Sequence, residues 1–142
     1  MTMRSTKELH DALIEMGADK RKHNRVQSLY DHLVNVSLLL KKEGNEEYVC
    51  VAGLFHSVYG TQYWKHVLTA DREKIRELIG DKAERLVWLF ENLDRKKWWE
   101  FYGHDKKPNR KGELIDVSLQ EEADLVSIVI CNIVEQKEQK HK

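Results

Sequence analysis

The sequence is short of the features that mark several classes of protein. It has one proline, Pro108, and no alternating apolar–polar run of any length, so nothing in it argues for a β-rich fold. No apolar stretch approaches the roughly 18 residues of a membrane helix. The start, Met1-Thr2-Met3-Arg4-Ser5-Thr6-Lys7-Glu8, lacks the hydrophobic segment of a signal peptide. Neither sign of charge is in excess: 24 Lys and Arg face 24 Asp and Glu. That balance argues against a dedicated nucleic-acid surface. The two cysteines, Cys50 and Cys131, lack the paired spacing of a zinc knuckle. Both lie in apolar segments and read as reduced core thiols of a cytoplasmic protein. There are no repeats and no shift of composition, so the 142 residues read as one domain, 1–142, with its core at about 24–137.

What is present is helical spacing. Ser5 or Thr6 caps a helix to about Met16, which Gly17 ends. A second helix spans about Arg25 to Glu43, with Leu29, His32, Leu33, Val36, Leu39 and Leu40 on one apolar stripe. A third runs from about Glu46 to Val58, where Gly53 allows another helix to come close. A short helix is expected near Tyr63 to Val67. Thr69-Ala70-Asp71 caps one from Arg72 to Ile79, and another covers about Lys82 to Leu93. Asp94 to Gly112 reads as a long loop with a helical turn at Trp98 to Tyr102. The last helix covers about Ser118 to Lys137, and the charged tail from Glu135 onward is expected to fray. The fold expected is all-α: a single bundle of about six or seven helices.

Three ionisable residues sit among core positions of different helices. His32 lies on the stripe of the second helix, His56 ends the apolar run Val49-Cys50-Val51-Ala52-Gly53-Leu54-Phe55, and Asp124 opens the most hydrophobic helix of the C-terminal part. Burying such groups is costly unless they pair or coordinate something. Two imidazoles and a carboxylate are a donor set suited to Mn, Fe or Zn.

The same residues carry a resemblance. Tyr30-Asp31-His32-Leu33-Val34-Asn35-Val36, then Ala52-Gly53-Leu54-Phe55-His56-Ser57-Val58, then Ile75 to Val87, then Ala123-Asp124-Leu125 fall in the order of the HD-domain superfamily. They are most similar to the hydrolase domain of the stringent-response (p)ppGpp hydrolases, over roughly Arg25 to Val134. The resemblance implies an HD-like bundle in which His32, His56 and Asp124 hold one divalent metal ion (Mn, Fe or Zn). It implies a hydrolase of a small phosphorylated or nucleotide-like compound, with water activated by the ion as nucleophile. The chain departs from the family where His-Asp is expected, because Ser57 follows His56, and Tyr59-Gly60-Thr61 replaces the acidic pair beyond it. A serine hydroxyl is a much poorer ligand than a carboxylate. The segment Leu54-Phe55-His56-Ser57-Val58-Tyr59-Gly60-Thr61 also resembles an HD-like group with the signature Leu-Phe-His-Ser-x-Tyr-Gly-Thr, a likeness that brings no activity with it.

On this reading Ser57 and Asp124 are the candidate catalytic residues, and Arg25, Tyr59, Thr61 and Gln62 the candidate substrate-binding ones. Arg25, or His23 beside it, stands about two helical turns before His32. The pairs His10-Asp11 and His104-Asp105 lack an apolar helical setting and are treated as decoys. Trp98-Trp99-Glu100-Phe101-Tyr102 after Arg95-Lys96-Lys97 reads as a loop covering the core or as a subunit interface, not as a nucleic-acid platform. The leading functional reading is the metal-dependent hydrolase. One alternative is a non-catalytic ligand-binding or interaction module on a degenerate HD scaffold, which the His56-Ser57 pair favours. Another is an iron-dependent oxygenase of HD type. Expected partners are a small-molecule ligand or substrate and, optionally, a second copy in a homodimer; no nucleic acid and no membrane is expected.

Overall fold

The computed structural model describes residues 5–22, 27–60 and 67–140. Among them stand six α-helices and one two-stranded sheet, an all-α architecture. Helix α1 (Thr6–Glu15) opens with a capping box, in which the Ser5 hydroxyl accepts from the Glu8 amide and the Glu8 carboxylate answers the Ser5 amide. It ends at Gly17, whose φ of 88° suits a residue without Cβ. Helix α2 (Leu29–Lys42) is capped by Ser28 accepting from Asp31, and α3 spans Glu47–Phe55. Asp71 caps α4 (Arg72–Ile79). Helix α5 is Asp81–Asn92 and α6 is Leu119–Lys140. The short helix expected near Tyr63 lies outside the described residues.

Helices α2, α3, α5 and α6 enclose the core. Leu33, Val36 and Leu40 of α2, Phe55 of α3, Leu86 and Phe90 of α5, and Leu125 and Ile128 of α6 are almost wholly buried. Each contributes roughly 1.5–3 kcal/mol. Gly53 sets the approach of α3 to α2. A Cβ there would collide with the Leu40 side chain and reach ordinary contact with Val36. Helix α3 is apolar on every side, with 49–55 all buried, so it lies at the centre.

The segment between α5 and α6 is more ordered than a loop reading implies. Trp98–Phe101 forms a 3-10 turn. Strands β1 (Lys106–Pro108) and β2 (Leu114–Asp116) then pair antiparallel, Lys107 opposite Ile115. Three-residue strands are too short to show a period of two, and Lys107 reverses the usual rule by pointing inward. Its ammonium is buried, donates to the Phe101 carbonyl at 2.8 Å and pairs with Glu122 of α6. Trp98 is buried in the core, whereas Trp99 and Tyr102 are exposed, so only part of the aromatic cluster covers the core. No helix of the described residues is long and apolar enough to cross a membrane.

Candidate functional site

The two central histidines meet inside the bundle. His32 comes from the first turn of α2 and is fully buried; His56 follows the last residue of α3 and is 1% exposed. Their rings lie 5.3 Å apart, edge to face, and the far side of His56 rests on Phe90 of α5 at 5.0 Å. His56 Nδ1–H turns back onto its own helix and donates to the Gly53 carbonyl at 2.6 Å. Because a carbonyl only accepts, this fixes a proton on Nδ1.

His32 is oriented by a carboxylate that the sequence reading did not single out. Its Nδ1–H donates to Glu135 Oε1 at 2.6 Å. The other oxygen of Glu135 accepts from Gln27 at 3.1 Å and from Asn35 at 3.2 Å. Burial alone would raise the Glu135 carboxyl, but these three donors outweigh it and hold the group below the usual carboxylate range. Burial pushes the His32 imidazole down, more than Glu135 pulls it up. The pair is therefore a neutral imidazole donating to an ionised carboxylate, a pattern that fixes ring tautomer and orientation.

Asp124 does not join the histidines, and the donor set His32, His56, Asp124 is not assembled. Asp124 accepts from the Tyr48 hydroxyl at 2.5 Å and from Gln120 at 2.9 Å. Tyr48 begins α3 whereas His56 follows its end, about 12 Å further along the helix axis. Asp124 likewise precedes Glu135 by eleven residues, roughly 16 Å of helical rise. Asp124 thus belongs to the opposite end of the α3–α6 pair. There it lines a surface cleft of about 350 Å³ together with Tyr48, Lys82, Arg85, Ser118 and Gln120. Lys82 lies over the Tyr48 ring at 4.3 Å. Among the described residues no group of three or more His, Cys, Asp and Glu side chains could hold a metal ion.

The remaining candidates divide. Ser57 is buried directly after His56. The Tyr59 hydroxyl, expected to face a ligand, is committed to protein: it donates to Glu84 at 2.8 Å. Glu84 is itself gripped by both arms of Arg72 at 2.7 and 2.8 Å, and Arg72 stacks over Trp88. Burial raises the Tyr59 phenol and Glu84 raises it further, so this cluster clamps the chain leaving α3. Arg25, Thr61 and Gln62, with His23, lie outside the described residues. Of the two His-Asp pairs, His10 is bonded to Tyr30 at 2.9 Å and His104 is exposed.

Glu135 could have been found in the sequence. Positions 124, 128, 131 and 135 repeat at four and three residues, and all four are buried. A carboxylate that continues an inward stripe is a core residue even when charged residues follow it.

The fold and this geometry define a helical bundle with a buried His–His–Glu centre. The chain belongs to the family described as Domain of unknown function (DUF6817), which it matches over residues 12–95. The match holds His32, His56 and Tyr48 and stops before Asp124 and Glu135. No curated protein and no solved structure matches the chain.

Proposed function

We propose that this chain is a non-catalytic ligand-binding or interaction module on a degenerate HD-like scaffold. The observation that carries this reading is the placement of Asp124. The carboxylate that the HD resemblance assigns to a metal is bonded to Tyr48 and Gln120 at the far end of α6. The carboxylate beside His32 is instead Glu135, engaged with three protein donors. The buried centre then serves to lock α2 against the C-terminal turns of α6. Ser57 in place of the family's aspartate agrees with it. The buried free cysteines, Cys50 and Cys131, favour a reducing, cytoplasmic setting.

Metal analysis of the protein purified without chelators tests this. The expected result is no stoichiometric Mn, Fe or Zn in the native chain, with Ser57→Asp gaining some. Near-stoichiometric metal that disappears in both His32→Ala and Asp124→Ala, with the fold intact, would overturn it.

A second reading, the metal-dependent hydrolase of a small phosphorylated compound, is favoured by one observation. Both imidazoles carry their proton on Nδ1, held by Glu135 and by the Gly53 carbonyl, the arrangement typical of histidines whose Nε2 coordinates a metal. Phosphate-ester or nucleotide hydrolysis that is lost in His56→Ala supports this reading, and its absence with added Mn, Fe or Zn removes it.

A further inference from the structure

We infer that the cleft at the start of α6 binds a small zwitterion, an α-amino acid or a compound of the same charge pattern, with its ammonium on Asp124 and its carboxylate on Lys82. The inference deepens the ligand-binding reading above and rests on it. Among the described residues four carboxylates are buried: Glu84, Glu122, Asp124 and Glu135. Glu84 has both arms of Arg72, and Glu122 has the Lys107 ammonium. Glu135 has three hydrogen-bond donors inside the bundle. Asp124 has neither a cation nor a third donor. It is 6% exposed and receives one neutral donor on each oxygen, from Tyr48 and from Gln120. A carboxylate oxygen can accept more than one hydrogen bond, so Asp124 keeps acceptor capacity, and it lines the cleft. A buried carboxylate without a counter-charge is costly. A ligand ammonium would supply that charge, and the Gln120 carbonyl stands beside Asp124 as a further acceptor for it.

The other charges of the cleft narrow the ligand further. Arg85 is paired with Glu121 at 3.2 Å, and Asp81 with Arg76 at 3.5 Å. Among the described residues this leaves one anion on the walls, Asp124, and one cation, Lys82. Lys82 is exposed, and its ammonium rests over the Tyr48 ring at 4.3 Å, with no carboxylate as partner. The phenol therefore separates the two charges: Lys82 lies on its face and Asp124 at its hydroxyl. A simple anion would be repelled by Asp124, and a simple amine by Lys82. A compound carrying both charges satisfies both walls. The cleft volume of about 350 Å³ lies at the small end of ligand sites, the size of a single metabolite. The Tyr48 ring and Leu86 give the ligand's carbon skeleton an apolar wall.

Backbone amide shifts of the full chain, titrated with the neutral L-amino acids to about 10 mM each, test it. At least one should give saturable shifts at Tyr48, Lys82 and Gln120. The N-acetyl derivative of that amino acid lacks the ammonium and its amide lacks the carboxylate, so each should bind roughly tenfold more weakly or worse. Asp124→Asn should weaken the free amino acid by a similar factor. Lys82→Met, a change at an exposed position that leaves the fold intact, should bind the free amino acid and its amide alike. No shift with any of the amino acids, an N-acetyl derivative that binds as well as the free compound, or unimpaired binding by Asp124→Asn overturns the inference, and the reading as a non-catalytic module survives it. Stoichiometric metal that is lost in Asp124→Ala overturns that reading and, because the ion then occupies Asp124, this inference with it.

Discussion

Asp124 and Glu135 occupy the same inward stripe of α6, three turns apart, and both are buried carboxylates. Around Glu135 the neighbours are a neutral imidazole and two amides, all donors; Glu135 and His32 are 0% exposed, Gln27 is buried and Asn35 half-buried. Around Asp124 they are a phenol and an amide at the rim of an open cleft. The first carboxylate has no alternative to its protein partners, whereas water can reach the neighbourhood of the second. Geometry of this kind, more than residue type, decides which carboxylate is structurally indispensable.

Removing Glu135 is the largest expected effect. In Glu135→Ala the buried donors of His32 and Gln27 and the half-buried one of Asn35 lose their acceptor, at a cost of about 3–5 kcal/mol. Asp124→Ala should cost about 1–2 kcal/mol, since its partners can rehydrate. Urea unfolding of the two variants measures both, and equal losses would erase the distinction between the two ends of α6.

The next effect is acidification, smaller because it removes only part of the same interaction. His32 is held below its ordinary 6.5 in the folded chain, and Glu135 below its ordinary 4.5. In each case the unfolded chain binds the proton first, so the unfolded state carries more protons and stability rises with pH. Stability should fall in two steps on acidification, beginning below about 6.5 and again below about 4.5. The second step should be blunted in Glu135→Gln. Melting temperatures from pH 8 to about 2 follow this, and a flat profile would show that the pair is not the neutral imidazole and ionised carboxylate described.

Much of the helical frame is legible in the sequence because caps and apolar periods are local. Asp71 and Gly80 bound α4 at Arg72–Ile79, as the spacing predicts, and Gly53 reads directly as a close approach. Three features escape such a reading because they depend on residues far apart. The stripe of α6 marks Glu135 as inward, but its partner His32, 103 residues earlier, cannot be read from that period. Lys107 looks like loop surface until Glu122 is seen to receive it. Asp124 opens an apolar helix in an Ala-Asp-Leu motif, but sequence order does not say which end of α3 it meets. The histidine pair was accessible because both members lie on strongly patterned helices.

Helix α3 connects the two ends, with Tyr48 in its first turn and His56 just beyond its last. Gly53→Ala should therefore disturb the histidine end first, since the Gly53 carbonyl receives His56 Nδ1–H and the added methyl would overlap the Leu40 side chain, which must shift. A cost of about 1–3 kcal/mol is expected. Exchange of the α2 and α3 amides should speed up more around His56 than around Tyr48. Uniform acceleration along α3 would mean that the two ends respond as one unit.

The smallest expected effect is at the cleft. Tyr48→Phe removes the hydroxyl that Asp124 accepts from at 2.5 Å but keeps the ring beneath Lys82. Gln120 still serves the other carboxylate oxygen, and water in the cleft can replace the lost donor. The loss should be about 0.5–1.5 kcal/mol, read by urea unfolding. A loss as large as that of Glu135→Ala would mean that Asp124 is as sealed as Glu135. The cleft would then be no place for a ligand, and the end of α6 that the HD-like motif singles out would be as structural as the other.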